Sequence, residues 1–213
     1  MPAAVRGDFN RGPHAMPYGG DVNPLAAIRS PRSGFAGEAE GPRVAGGLVA
    51  VVATGLVSLV TGAAANALVS GRPSGLVVAL SLPALFVAYW LLQAWLVDAA
   101  VAMVGRSRNR RAYLAVSGYA FPPLAAYGVL SLAEALLLHF GGGAGPPAAS
   151  AVAWLTLPVL AWFIVLSVLA IQAVYDLPAL NALAFALLPI AALTAALLIV
   201  SVALGALHTA SVI

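Results

Sequence analysis

Three carboxylates interrupt otherwise uncharged stretches of this 213-residue chain, Asp98, Glu134 and Asp176, and any chemistry would have to rest on them. A charge in hydrocarbon is costly, so each is a functional candidate by default. Gln172 lies one helical turn before Asp176 and shares its face. At about 1.5 Å of rise per residue, Asp98 sits roughly 12 Å to one side of the middle of its stretch, and Glu134 roughly 12 Å to the opposite side of its own. The carboxylates are therefore divided between two faces of a membrane and do not form a general acid–base pair. Arg106, Arg108, Arg110 and Arg111 crowd one loop in the same layer as Asp98 and Asp176. Snorkelling arginines and rim carboxylates meet there, so pairing is expected before proton or cation conduction.

Other chemistries lack their residues. His14, His139 and His208 have no ligand spacing and there is no cysteine, so no metal site, thiolate nucleophile or disulfide is expected. Neither a GxSxG elbow nor a His-Glu-x-x-His pair occurs. GGGAG at 141–145 lacks the Lys-Ser/Thr of a phosphate cradle and reads as a flexible turn. No cofactor and no enzymatic activity are expected.

The elements that carry these residues follow from composition. Hydrophobic residues make up 62% of the chain and charged residues 8%, against about 25% charged in soluble domains. So much apolar surface belongs in a bilayer. From Val44 the chain is a series of apolar runs, each longer than the roughly 20 residues that cross a core about 30 Å thick. They cover about 44–69, 75–104, 113–139, 148–175 and 180–207. The breaks are SGRPSG at 70–75, GRSRNRR at 105–111, GGGAGPP at 141–147 and YDLP at 175–178. The predicted fold is all-α, an integral membrane bundle of five transmembrane helices. Pro83, Pro122, Pro123, Pro158 and Pro189 fall inside four spans and predict kinked helices.

Residues 1–43 read as a flexible cytoplasmic arm, with Arg6, Arg11, Arg29, Arg32, Arg43 and six prolines. If the arm is cytoplasmic, that side also receives the four loop arginines, and the outer side only Arg72; the C-terminus then lies outside. This orientation fits a plasma or inner membrane. A cleaved leader ending near Ala65 is not expected, because the first run exceeds an h-region of about 7–15 residues. Tyr113, Tyr175 and Trp154 are placed as interfacial belt residues, and Trp90 and Trp162 as residues packed between helices. Thr54, Ser58, Thr61 and Ala65 recur at helical spacing and mark a close-packing face. Nucleic acid is not an expected partner, since Asp8, Asp21, Glu38 and Glu40 offset the arm's arginines. The loop arginines read as lipid headgroup contacts.

Helices two and three with their loop, YWLLQAWLVDAAVAMVGRSRNRRAYLAVSGYAFPPLAAYGVL, resemble the Yip-domain family, the Ypt/Rab-interacting membrane proteins and their prokaryotic relatives. The shared phrase is a basic, Gly-containing loop followed by a helix opening like "tlavlGYallP", matched by Leu114, Ala115, Val116, Gly118, Tyr119 and Pro122. SPRSGF at 30–35 is similar to the short lead-in of prokaryotic members, and VLSVLAIQAVYDLPALNALAFALLPIAAL to the last two helices. The resemblance covers roughly 30–210. It implies a non-enzymatic membrane-organising or trafficking-like scaffold, whose partners are membrane lipids, other membrane proteins or a second copy. The acidic and Tyr-Gly motifs of eukaryotic members are not evident near the arm, which leaves GTPase binding without support. Physically, Gly118 admits a neighbouring backbone, Pro122 frees the Gly118 carbonyl, and the Tyr119 hydroxyl is placed to take that carbonyl up. A small transporter or a transporter subunit, resting on Asp98, Glu134, Gln172 and Asp176, is the alternative.

Overall fold

The computed structural model of the chain describes residues 30–70 and 76–210. Residues 1–29 with Arg6, Arg11, Arg29 and His14, the 71–75 turn with Arg72, and residues 211–213 lie outside the described residues. The described chain is a helical bundle without strands. Five stretches in it are long and apolar enough to cross a membrane: Val44–Val69, Ser81–Met103, Arg110–Phe140, Gly142–Tyr175 and Ala179–Val202. The expected fold class therefore holds, and the helices are bent or broken at their prolines.

The first element departs from expectation. Pro31–Glu40, placed by sequence in a flexible arm, is a helix, α1, with Pro31 at its first position where no N–H is needed. Phe35 and Glu38 lie on one face, and both are buried against the bundle. Burying a phenylalanine stabilises by roughly 1.5–3 kcal/mol, and the Arg43 N–H donates to Glu38 Oε1 at 2.9 Å. One aromatic residue and one satisfied carboxylate thus dock a segment whose composition reads as linker.

α2 (Val44–Ser70) packs most extensively on α5 (Pro122–Phe140) and α3 (Leu76–Met103). On its small-residue face Thr54 and Thr61 are buried, and Ser58 and Ala65 half-buried. Thr54 and Thr61 point inward and donate to the Ala50 and Val57 carbonyls at 2.8 and 2.9 Å. Small side chains there leave room for Gly128 of α5, where an added Cβ would lie 2.5 Å from Thr61 Oγ1.

The third span is not one kinked helix. It is α4 (Arg110–Ser117), a 3-10 turn at Gly118–Ala120, and then α5, which Pro122 and Pro123 open rather than interrupt. The Gly118 carbonyl accepts the Phe121 N–H at 3.2 Å. That turn satisfies the group expected to be taken up by Tyr119, whose hydroxyl instead lies against Gly46.

The fourth span also divides, into α6 (Gly145–Trp154) and α7 (Thr156–Tyr175). Pro158 cannot donate to the Trp154 carbonyl four residues earlier, and the helix breaks one residue after it. Gly145, Pro146 and Pro147 belong to α6, so the expected flexible glycine turn contracts to a 3-10 turn at Gly142–Ala144. α7 ends at Asp176 in the left-handed region, φ 50°, its N–H bonded to the Gln172 carbonyl at 3.0 Å. Pro178 then prevents continuation, and α8 (Ala179–Ala210) follows. Leu197, Leu198, Ile199 and Val200 of α8 are exposed, a surface that only hydrocarbon solvates well.

Candidate functional site

The candidate site forms where the arginine loop meets the end of α3. Trp90, Gln93, Ala94, Val97, Asp98 and Val101 share one face of α3 and are all buried. Asp98 is 1% exposed, and it is fully satisfied. Its Oδ1 accepts the Asn109 N–H at 3.1 Å and the Tyr175 hydroxyl at 3.2 Å, and its Oδ2 pairs with Arg110 Nη2 at 3.4 Å. Asn109 in turn caps α4, its Oδ1 accepting the Ala112 N–H at 3.4 Å.

Local chemistry explains this convergence. Gly105 turns the chain off α3 with φ +77°, a conformation only glycine adopts without strain. The loop then returns Asn109 and Arg110 beside Asp98. Two arginines open α4, at the positive end of its dipole, an arrangement unfavourable by about 0.3–1 kcal/mol each. The Asp98 carboxylate sits at that same helix start and offsets it.

Polar contacts continue inward for about two turns. Gln93 Nε2 donates to the Tyr113 hydroxyl at 3.2 Å, and Trp90 Nε1 to Ser117 Oγ at 3.0 Å. The Tyr113 and Tyr175 rings meet at a tilt of 39° with centroids 5.8 Å apart. Gln93 Oε1 is the buried side-chain oxygen without a partner among the described residues. One junction therefore ties α3, α4 and α7 together.

The predicted residues distribute unevenly. Asp98 and Arg110 meet, as the shared layer implied. Arg106, Arg108 and Arg111 are exposed at the rim, with no ion-pair partner among the described residues. Asp176 is exposed and does not join them; its neighbour Tyr175 does. Gln172 is half-buried, its Nε2 donating to the Leu177 carbonyl at 3.4 Å. Glu134 is half-buried on α5, apart from the junction. Gly118 makes the tightest helix crossing: an added Cβ would overlap the Gly47 backbone. Beside Pro122 a groove of about 440 Å³ is lined by Pro123, Pro158 and Trp162.

Three aromatic placements are corrected. Tyr113 and Tyr175, read as belt residues, are 0% and 5% exposed, because their hydroxyls find partners inside. Trp162, read as packed between helices, is 41% exposed. Gln93, Asn109 and Ser117 were missed. Their signal was available: Gln93 shares the face of Trp90 and Asp98, and Ser117 follows Tyr113 by four residues. No cluster of three or more His, Asp or Glu side chains able to hold a metal ion occurs among the described residues.

Long apolar helices joined at one end by a buried polar junction define a multi-pass α-helical membrane protein. Residues 25–201 match the Yip1 domain, a span that takes in α1 and the whole junction, and the chain belongs to that family. No curated protein and no solved structure matches it.

Proposed function

We propose that the chain is a non-enzymatic membrane-organising scaffold, held in the plasma or inner membrane with its N-terminus cytoplasmic and its C-terminus outside. Its arginine loop engages anionic lipid headgroups, and its bundle binds other membrane proteins or a second copy. The observation that carries this reading is the division of labour among four arginines. Arg110 is spent on Asp98 and fixes the loop, while Arg106, Arg108 and Arg111 stay exposed at the rim. A fixed loop loses less conformational freedom on meeting a headgroup than a mobile one would.

The test is lipid retention. Protein reconstituted in mixed anionic and zwitterionic bilayers, then partly delipidated, is expected to keep anionic lipid preferentially. Replacing Arg106, Arg108 and Arg111 with Gln lowers that preference by about tenfold or more, since each basic residue near an anionic surface contributes roughly 1 kcal/mol. Unchanged retention would remove the headgroup role. Crosslinking that recovers one stable membrane partner would support the scaffold role.

A further inference from the structure

Between them, α3, α5, α7 and α8 leave a side-opening cleft of about 720 Å³ that the polar junction does not use. Leu82, Leu85 and Leu92 form one wall, Leu160 and Leu193 the other, and Phe121 the floor. The floor is locked: the Phe121 ring meets Phe86, Tyr89 and Phe163 edge-on at centroid distances of 6.2, 6.1 and 5.6 Å. The walls are set by sequence as well. Ala182 and Ala186, 0% and 3% exposed, bring α8 close to the bundle. Farther along, Pro83 and Pro189 interrupt the hydrogen bonding of α3 and α8 at the level of the cleft. Leu85, Leu92 and Leu193 are 56%, 40% and 43% exposed, so the cleft is open sideways.

Its position and lining select the occupant. From Leu92 to Leu82 it runs about 15 Å along α3 at 1.5 Å per residue, inside the Ser81–Met103 span. The medium at its mouth is hydrocarbon. The Tyr89 hydroxyl is the single polar group among the lining side chains, and water needs two to four polar partners. An empty apolar hole would forfeit the dispersion contacts of its whole lining.

We infer that this cleft is a binding site for the acyl chain of a bilayer lipid, lying along α3 over the Phe121 floor. The site selects for a hydrocarbon chain and not for headgroup charge, so it is independent of the arginine loop. Tyr89, Phe86 and Phe163 hold the floor rigid, which gives the bound chain a slower exchange than chains on the outer faces of α2 and α8.

The test uses the full chain in nanodiscs of phosphatidylcholine carrying a diazirine midway along one acyl chain, chased with unlabelled phosphatidylcholine before irradiation. Adducts mapped by peptide mass spectrometry are expected at Leu85, Leu92, Leu160 and Leu193, in excess over Val60 and Val200 on the outer surface. Ala88→Trp, which fills the cleft, lowers the cleft adducts about tenfold, the equivalent of displacing roughly two methylene groups. Leu160→Ala, which enlarges it, keeps them, so misfolding is told apart from blockage. Equal labelling of cleft and outer positions, or full labelling in Ala88→Trp, would overturn the assignment.

Discussion

Asp98 joins three elements with one carboxylate, and its removal should be felt accordingly. Asp98→Ala leaves the Tyr175 hydroxyl and the Asn109 N–H without their acceptor, while Arg110, half exposed, can turn to solvent; each buried donor left unsatisfied costs about 1–3 kcal/mol. Tyr175→Phe removes a single bond to a charged acceptor and should cost about 1.5–3 kcal/mol. Thermal unfolding in one detergent ranks them; equal stability of Asp98→Ala and the wild type would show that the junction carries no structural weight. The importance of Asp98 was legible because a charge in an apolar run has few tolerable places. The identity of its partners was not. A tyrosine at a span end serves a headgroup belt or an interior hydrogen bond equally well, and only the rotation of the helix decides. For Tyr113 and Tyr175 the interior bond prevails.

At the scale of elements, prolines and glycines decide where helices stop and how near they come. Pro122, Pro123 and Pro158 were readable as disturbances, but not as helix starts and breaks, because that depends on whether the freed carbonyl finds another donor. The Gly118 carbonyl finds the Phe121 N–H, and the chain turns there. The close pairing of Gly47 and Gly118 makes a sharp prediction. Gly118→Val must push α2 and the 3-10 turn apart, and forced overpacking costs typically about 1–3 kcal/mol. Loss of hydrogen-exchange protection around residues 44–50 and 114–121 would be the readout. Retained protection would mean that the crossing yields without cost. α1 was hidden for a different reason. Its composition is that of a linker, and its helix is held by tertiary contacts of Phe35 and Glu38 that no local pattern announces.

At the scale of the whole molecule, the apolar runs were the most legible feature, since they are dictated by the solvent rather than by packing detail. The proposed orientation, with the arm and the 105–111 loop cytoplasmic and Arg72 outside, predicts that a reporter fused after Ile213 appears outside. A cytoplasmic reporter signal there would invert the topology. The central claim is that the buried carboxylate serves architecture rather than transport. The contacts support it: the polar groups run from Asp98 to Trp90 and Ser117, engaged with neighbouring side chains or backbone groups except at Gln93 Oε1, and Glu134 stands apart from them. The most direct measurement is proton and solute flux in liposomes holding the purified protein and its Asp98→Asn variant. Flux no greater than in empty liposomes for both is the predicted result; flux through the wild type that Asp98→Asn abolishes would contradict it.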